Sequence, residues 1–109
     1  MALLLRVTGP PAKRLGDGYT HVFGLLGGCI GRHPDCDWVL PDPELYVSNT
    51  HATVALQDGQ WLLTDTSSNG IRINNEPEPM PPRSSRPIAD YDRIHIGPYE
   101  ILARLMPDR

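Results

Sequence analysis

Several features that would announce a common function class are missing from this sequence. It holds two cysteines, Cys29 and Cys36, in 109 residues, too few for a disulfide-stapled scaffold, so both are expected as reduced thiols. It lacks a basic excess: the formal charge of −3 excludes a surface built for nucleic acid or anionic membrane. No apolar run reaches the length of a transmembrane helix. Met1 to Arg6 opens like a signal peptide, but the apolar stretch is too short for an h-region and no small-residue cleavage site follows. The expectation is a cytoplasmic chain with no direct membrane insertion. No segment keeps a helical period. The 12 prolines and 10 glycines disfavour long helices further. Nothing in the pattern calls for a cofactor or a metal.

What is present is a succession of short strand-like segments. With 39% hydrophobic residues the chain is globular, and residues 1–109 are expected as a single domain. Leu3, Leu5 and Val7 alternate with Leu4 and Arg6, and Gly9-Pro10-Pro11 closes that strand. A polar loop from Lys13 to Gly18 leads to Tyr19–Phe23. Gly27–Arg32 and Trp38–Leu40 follow. Ala52, Val54 and Leu56 share one face, and Trp61 and Leu63 another, around Asp58-Gly59, a pair suited to the positive-φ positions of a type I′ turn. Ile71 and Ile73 alternate with Arg72 before Asn74-Asn75, a pair that turns the chain without glycine. Glu76 to Pro87 is too proline-rich for a central strand. Arg93–Ile96 and Tyr99–Leu102 flank Gly97-Pro98. Strands about every ten residues predict an all-β antiparallel sandwich of about ten or eleven short strands.

Three polar clusters sit at strand ends: Gly31-Arg32, Ser48-Asn49-Thr50-His51 and Ser67-Ser68-Asn69-Gly70. They supply donors with no accompanying carboxylate or ligand set, which suits an anion such as a phosphorylated side chain. Each has a plainer meaning alone. Gly31-Arg32 reads as a turn with a solvated arginine, Ser48 as a cap, and Ser68-Asn69-Gly70 as a tight turn. Ser48, His51 and Asp65 invite a hydrolase triad, but no Gly-x-Ser-x-Gly elbow is present. Cys29, His33, Cys36 and His51 match no common zinc spacing. The proline-rich stretch is read as an exposed loop rather than an SH3-type ligand.

In order, Gly31-Arg32, Ser48-x-x-His51, Ser68-Asn69-Gly70 and Asp92-Arg93-Ile94-x-Ile96-Gly97 resemble the signature of a forkhead-associated (FHA) domain, over nearly the whole chain. The resemblance implies a β-sandwich whose loops at one end bind phosphothreonine peptides, without enzymatic activity. It assigns Arg32, Ser48 and Ser68 to the phosphate, Asn49 and Asn69 to the peptide, and Gly31, His51 and Gly70 to the frame. Tyr46 is expected to touch a peptide side chain a few positions after the phosphothreonine. Asp37–Pro43, Tyr46-Val47-Ser48 and Leu63–Ser67 further resemble the N-terminal FHA domain of bacterial type VI secretion proteins. That implies a threonine-phosphorylated partner, a Ser/Thr kinase and an opposing phosphatase, recruitment to an inner-membrane secretion assembly, and a longer C-terminal region in the parent protein. The alternative is a phosphate-independent scaffold of the same fold. The sequence departs from the family pattern at Asn49 for arginine, Ser68 for threonine, Tyr91 for glycine, Asn75 for glycine, and in the long stretch Pro77 to Pro87.

Overall fold

A computed structural model describes residues 1–107. It contains ten strands: β1 (Ala2–Thr8), β2 (Thr20–Phe23), β3 (Gly28–Gly31), β4 (Trp38–Val39), β5 (Ala52–Gln57), β6 (Gln60–Asp65), β7 (Arg72–Ile73), β8 (Ser85–Pro87), β9 (Arg93–Ile96) and β10 (Tyr99–Met106). They form two five-stranded sheets, ordered β2-β1-β10-β9-β7 and β4-β3-β5-β6-β8. The expected sandwich is present. Its one departure from antiparallel pairing is β3 with β4, where Ile30 faces Trp38 and Gly31 faces Val39 in parallel register.

Period-two burial builds the core. Leu3, Leu5 and Val7 of β1, Ile94 and Ile96 of β9, and Ile101 and Ala103 of β10 face Ile30, Trp38, Ala52, Val54, Trp61 and Leu63 of the second sheet. The hairpin β5–β6 corrects the sequence reading. Leu56 pairs with Trp61 and Val54 with Leu63, so Trp61 and Leu63 lie on the same face as Ala52, Val54 and Leu56. Residues directly opposite in an antiparallel pair share a face.

The turns are mostly those expected. Asp58 (φ 51°) and Gly59 (φ 78°) both adopt positive φ, as a type I′ turn requires. Asn74 (φ 53°) turns the chain after β7, and Tyr91 takes φ 70° where the family pattern has glycine. Two segments differ from the sequence reading. The loop before β2 is a 3₁₀ segment, Pro10–Tyr19, interrupted at Gly16. Proline at its start presets φ where a free N–H is not needed, and the Ala12 N–H closes the first turn on the Gly9 carbonyl at 3.1 Å. The proline-rich stretch does contain a strand, β8, but at the sheet edge against β6, where proline is tolerated.

Register decides where the loops go. Gly28 pairs with Val54 and Ile30 with Ala52, while Ala52 pairs with Asp65. With β5 antiparallel to both β3 and β6, the end of β3, the start of β5 and the end of β6 are level. The three polar clusters therefore leave the sandwich at one end.

Candidate functional site

The three loops at that end are tied to one another by main-chain bonds. The Arg32 N–H donates to the Ser48 carbonyl at 3.0 Å and the His33 N–H to the Asn49 carbonyl at 3.1 Å. On the other side, the Thr66 N–H donates to the His51 carbonyl at 3.1 Å, and Thr66 Oγ1 to the Thr50 carbonyl at 2.8 Å. The Ser48–His51 loop is thus clamped between its neighbours. Gly31 is where the clamp is tightest: a Cβ there would run into the Asn49 carbonyl. Glycine is required by that close approach and not by its φ.

His51 is the internal strut. It is fully buried. The Ser48 N–H donates to His51 Nδ1 at 3.0 Å, and His51 Nε2 stands 2.9 Å from the Gly70 carbonyl. Because Nδ1 accepts, Nε2 must carry the proton and donate. Burial pushes the imidazole pKa below its ordinary value, against the opposing pull of the Gly70 carbonyl and the Asp65 charge. The neutral ring therefore joins two of the three loops.

Two further residues shape the loops: sequence reasoning gave Asp42 no role of its own and weighed Asp65 only as a member of a hydrolase triad. Asp42 is buried. One side-chain oxygen accepts the N–H groups of Tyr46 at 2.7 Å and Val47 at 3.0 Å, and the other that of Glu44 at 3.1 Å. The Pro-Asp-Pro context was its only signal, since aspartate closes such turns on its own backbone. Asp65 Oδ1 accepts both Ser67 N–H at 2.8 Å and Ser67 Oγ at 2.5 Å, and Ser67 Oγ accepts the Gly70 N–H at 2.7 Å. That chain holds Gly70 at φ 92°.

On this frame the donors converge. Arg32 is half-buried, and its Nε donates to the Val47 carbonyl at 2.8 Å. That bond orients the guanidinium and leaves its two terminal nitrogens for a ligand. Ser48 Oγ accepts the Ser68 N–H at 3.0 Å, which leaves the Ser48 hydroxyl hydrogen to donate outward. Ser68 and Asn49 are exposed. Asn69 Nδ2 donates to the Tyr46 carbonyl at 3.1 Å, which leaves its Oδ1 to accept. Tyr46 is 54% exposed and borders a cavity of about 440 Å³ with Asn69, Arg14, Arg72 and His95. All the residues singled out from sequence thus lie on these adjoining loops.

The other chemistries do not assemble. Both His51 nitrogens are engaged away from Ser48 Oγ, and Asp65 is held by Ser67, so Ser48, His51 and Asp65 form no triad. Among the described residues no three metal-ligating side chains converge. Cys36 donates its Sγ to the Asn49 carbonyl at 3.3 Å, and burial, then the neighbouring Cys29, push its pKa up to about 12. It is a packed thiol under the Ser48–His51 loop. No helix among the described residues is long and apolar enough to cross a membrane.

Comparison with known proteins agrees with this geometry. Residues 28–97 match the family profile described as FHA domain. One similar solved structure comes from work described as a structural and functional analysis of phosphothreonine-dependent FHA domain interactions. It is 30% identical, covering 98% of this chain and 99% of that one, with a TM-score of 0.76. A second is the FhaA FHA domain complexed with the intracellular domain of Rv3910. It is 30% identical, covering 94% of this chain and 99% of that one, with a TM-score of 0.72. The FHA domain of a hypothetical protein of Arabidopsis thaliana shares the fold at a TM-score of 0.79 and 22% identity, covering 99% of this chain and 88% of that one. A search among curated proteins gives no match.

Proposed function

This chain belongs to the FHA domain family, and from that premise we propose that it is a phosphothreonine-peptide-binding module for phosphorylation-dependent protein–protein interaction. One observation carries the reading. Three loops from three strands present a guanidinium with free terminal nitrogens and a serine hydroxyl hydrogen beside a second serine, on a frame held rigid by His51.

The chemistry follows from the ligand. A phosphothreonine carries about −1.5 to −2 charge and three strong acceptor oxygens. Arg32 meets it with an always-charged planar donor set. Ser48 donates its hydroxyl to a phosphate oxygen, and Ser68 supplies a further hydroxyl. Asn49 adds an amide donor beside Ser48. Asn69, oriented by its bond to Tyr46, accepts or donates to the peptide main chain next to the phosphothreonine. Gly31, His51 and Gly70 keep the loops in register. Hydrogen bonds to charged groups contribute roughly 1.5–3 kcal/mol each, so three or four sustain a micromolar complex, about −8 kcal/mol, after ordering of the peptide. Phosphate therefore supplies most of the affinity.

The narrower resemblance at Asp37–Pro43, Tyr46-Val47-Ser48 and Leu63–Ser67 supports a finer reading. In it the domain works in the cytoplasm for a type VI secretion system. A Ser/Thr kinase and a phosphatase set the state of its partner, and binding recruits it to the inner-membrane assembly. Calorimetry with matched phosphorylated and unphosphorylated threonine peptides tests the central claim. Binding is expected only with phosphate. Equal affinity for the two would sink it in favour of a phosphate-independent scaffold. Peptides drawn from phosphothreonines of such a secretion assembly test the finer reading, which fails if none binds while other phosphothreonine peptides do.

A further inference from the structure

The segment after β7 builds a second wall beside the Ser68-Asn69 loop. A cavity of about 420 Å³ lies between them, with Ser68 and Asn69 on one side and Met80, Pro82 and Arg83 on the other. It is distinct from the cavity at Tyr46, but both are bordered by Asn69 and Gly70. A peptide whose main chain is held at Asn69 therefore drops side chains to either hand. With Tyr46 facing the residues after the phosphothreonine, this second cavity faces the residues before it.

The wall is tied down on both sides of its arginine. Met80 is buried, and its N–H donates to the Ile71 carbonyl at 2.8 Å. The Pro81 carbonyl accepts the Ser84 N–H at 3.1 Å and Ser84 Oγ at 2.6 Å. The Asp65 N–H donates to the Ser84 carbonyl at 3.0 Å. Between these anchors Arg83 adopts φ 65°, a left-handed conformation that long side chains avoid and glycine accepts readily. Strain of this kind persists where the surroundings over-determine it, and it collects at binding sites. The Arg83 side chain has only a long contact, Nη1 to the Ser67 carbonyl at 3.5 Å. Arg86, Arg93 and Arg104 are each held by a carboxylate. Arg83, like Arg6, Arg14, Arg32 and Arg72, has no such partner among the described residues. The one acidic group on the cavity wall, Asp65, is buried and engaged by Ser67.

We propose that Arg83 and this cavity form a subsite for a negatively charged side chain, a carboxylate or a second phosphate, on the residues preceding the phosphothreonine. The subsite rests on the phosphopeptide reading. It gives the proline-rich stretch a function: Pro81 and Pro82 lead the chain into the turn that sets a cation beside the Ser67–Asn69 loop.

The test is a set of fluorescence-anisotropy titrations on wild type and Arg83→Gly, a change that removes the charge and suits the backbone. The peptides carry phosphothreonine with neutral flanks, with glutamates before it, or with a phosphoserine before it, alongside the neutral peptide without phosphate. Acidic flanks are expected to tighten wild-type binding about three- to tenfold over neutral flanks. In Arg83→Gly the ratio is expected to fall to about one, with neutral-flank affinity within about twofold of wild type and an unchanged or higher Tm. A larger gain from phosphoserine than from glutamate assigns the subsite to a second phosphate, and equal gains assign it to carboxylates as well. A flank effect that survives Arg83→Gly, or its absence in wild type with phosphate dependence intact, overturns the subsite alone. Equal binding of the phosphorylated and unphosphorylated neutral peptides overturns the phosphopeptide reading and the subsite with it.

Discussion

In the proposed reading, binding is expected to depend most on Arg32, because it brings a full charge to a site in a chain of net charge −3. Arg32→Ala is expected to weaken phosphopeptide binding at least tenfold, about 1.4 kcal/mol. Circular dichroism should stay native, since the loop loses the Nε bond to the Val47 carbonyl but keeps the main-chain bond from the Arg32 N–H to the Ser48 carbonyl. Retained affinity would show the arginine misassigned. His51 has a different signature. Its folded pKa is depressed, chiefly by burial, and His21 shifts the same way, again chiefly by burial. Their contribution is complete above the unfolded value of about 6.5 and is lost as pH falls through the folded value. The Tm of the peptide-free domain is therefore expected to decline from pH 6.5 towards pH 5, and a flat profile there would contradict a neutral structural imidazole. Asp90, Glu76 and Glu100 are held low by their hydrogen bonds. As depressed carboxyls their contribution is lost only in more acid solution, so the first slope belongs to the histidines. From the sequence, Arg32, Ser48, Ser68 and Asn69 stand out through the order of their clusters, which resembles the FHA signature, since each cluster alone also reads as a turn or a cap. Arg83 does not, because an arginine in a proline-rich stretch looks like any solvated charge until its loop is folded against Ser67.

At the scale of the element, two loops are each set by one residue. Gly31→Ala would drive a methyl into the Asn49 carbonyl. Overpacking against backbone costs about 1–3 kcal/mol, and urea unfolding is expected to show a lowered midpoint with unchanged m-value. Asp42 holds three N–H groups of the Glu44–Val47 segment. Asp42→Ala should cost about 1–3 kcal/mol and weaken peptide binding too, because Tyr46 and the Val47 carbonyl that orients Arg32 lose their anchor. Stability lost with affinity unchanged would separate that loop from the site. The turns were legible where the dipeptide carries its own conformational preference. Asp58-Gly59 and Asn74 adopt positive φ as their chemistry dictates. Tyr91 at φ 70° was not legible: its ring lies under the Arg104 guanidinium, 4.1 Å from the centroid, and the Tyr91 N–H donates to the Ala103 carbonyl at 2.8 Å. Tertiary partners there hold a conformation that local propensity disfavours.

At the scale of the whole molecule, the sandwich depends on strands far apart in sequence. β1 pairs with β10 from Ala2↔Met106 to Thr8↔Glu100, at the centre of its sheet. The family match spans only residues 28–97, which omits β1, β2 and β10. A fragment of residues 28–97 is therefore expected to remain unfolded, with dispersed amide signals appearing in NMR spectra only when both flanking segments, with β1, β2 and β10, are restored. A folded fragment would show that the site does not need β1, β2 and β10. By itself the sequence determined the strands, most of the turns and the residue types of the site, because alternation, glycine, asparagine and proline act locally. Tertiary structure alone decided that β3, β5 and β6 end level, that His51 spans from Ser48 to Gly70 rather than to a catalytic partner, that the hairpin buries one common face, and that Arg83 comes to the side of Asn69. Those outcomes depend on strand register and on burial among distant segments, and no local preference encodes either.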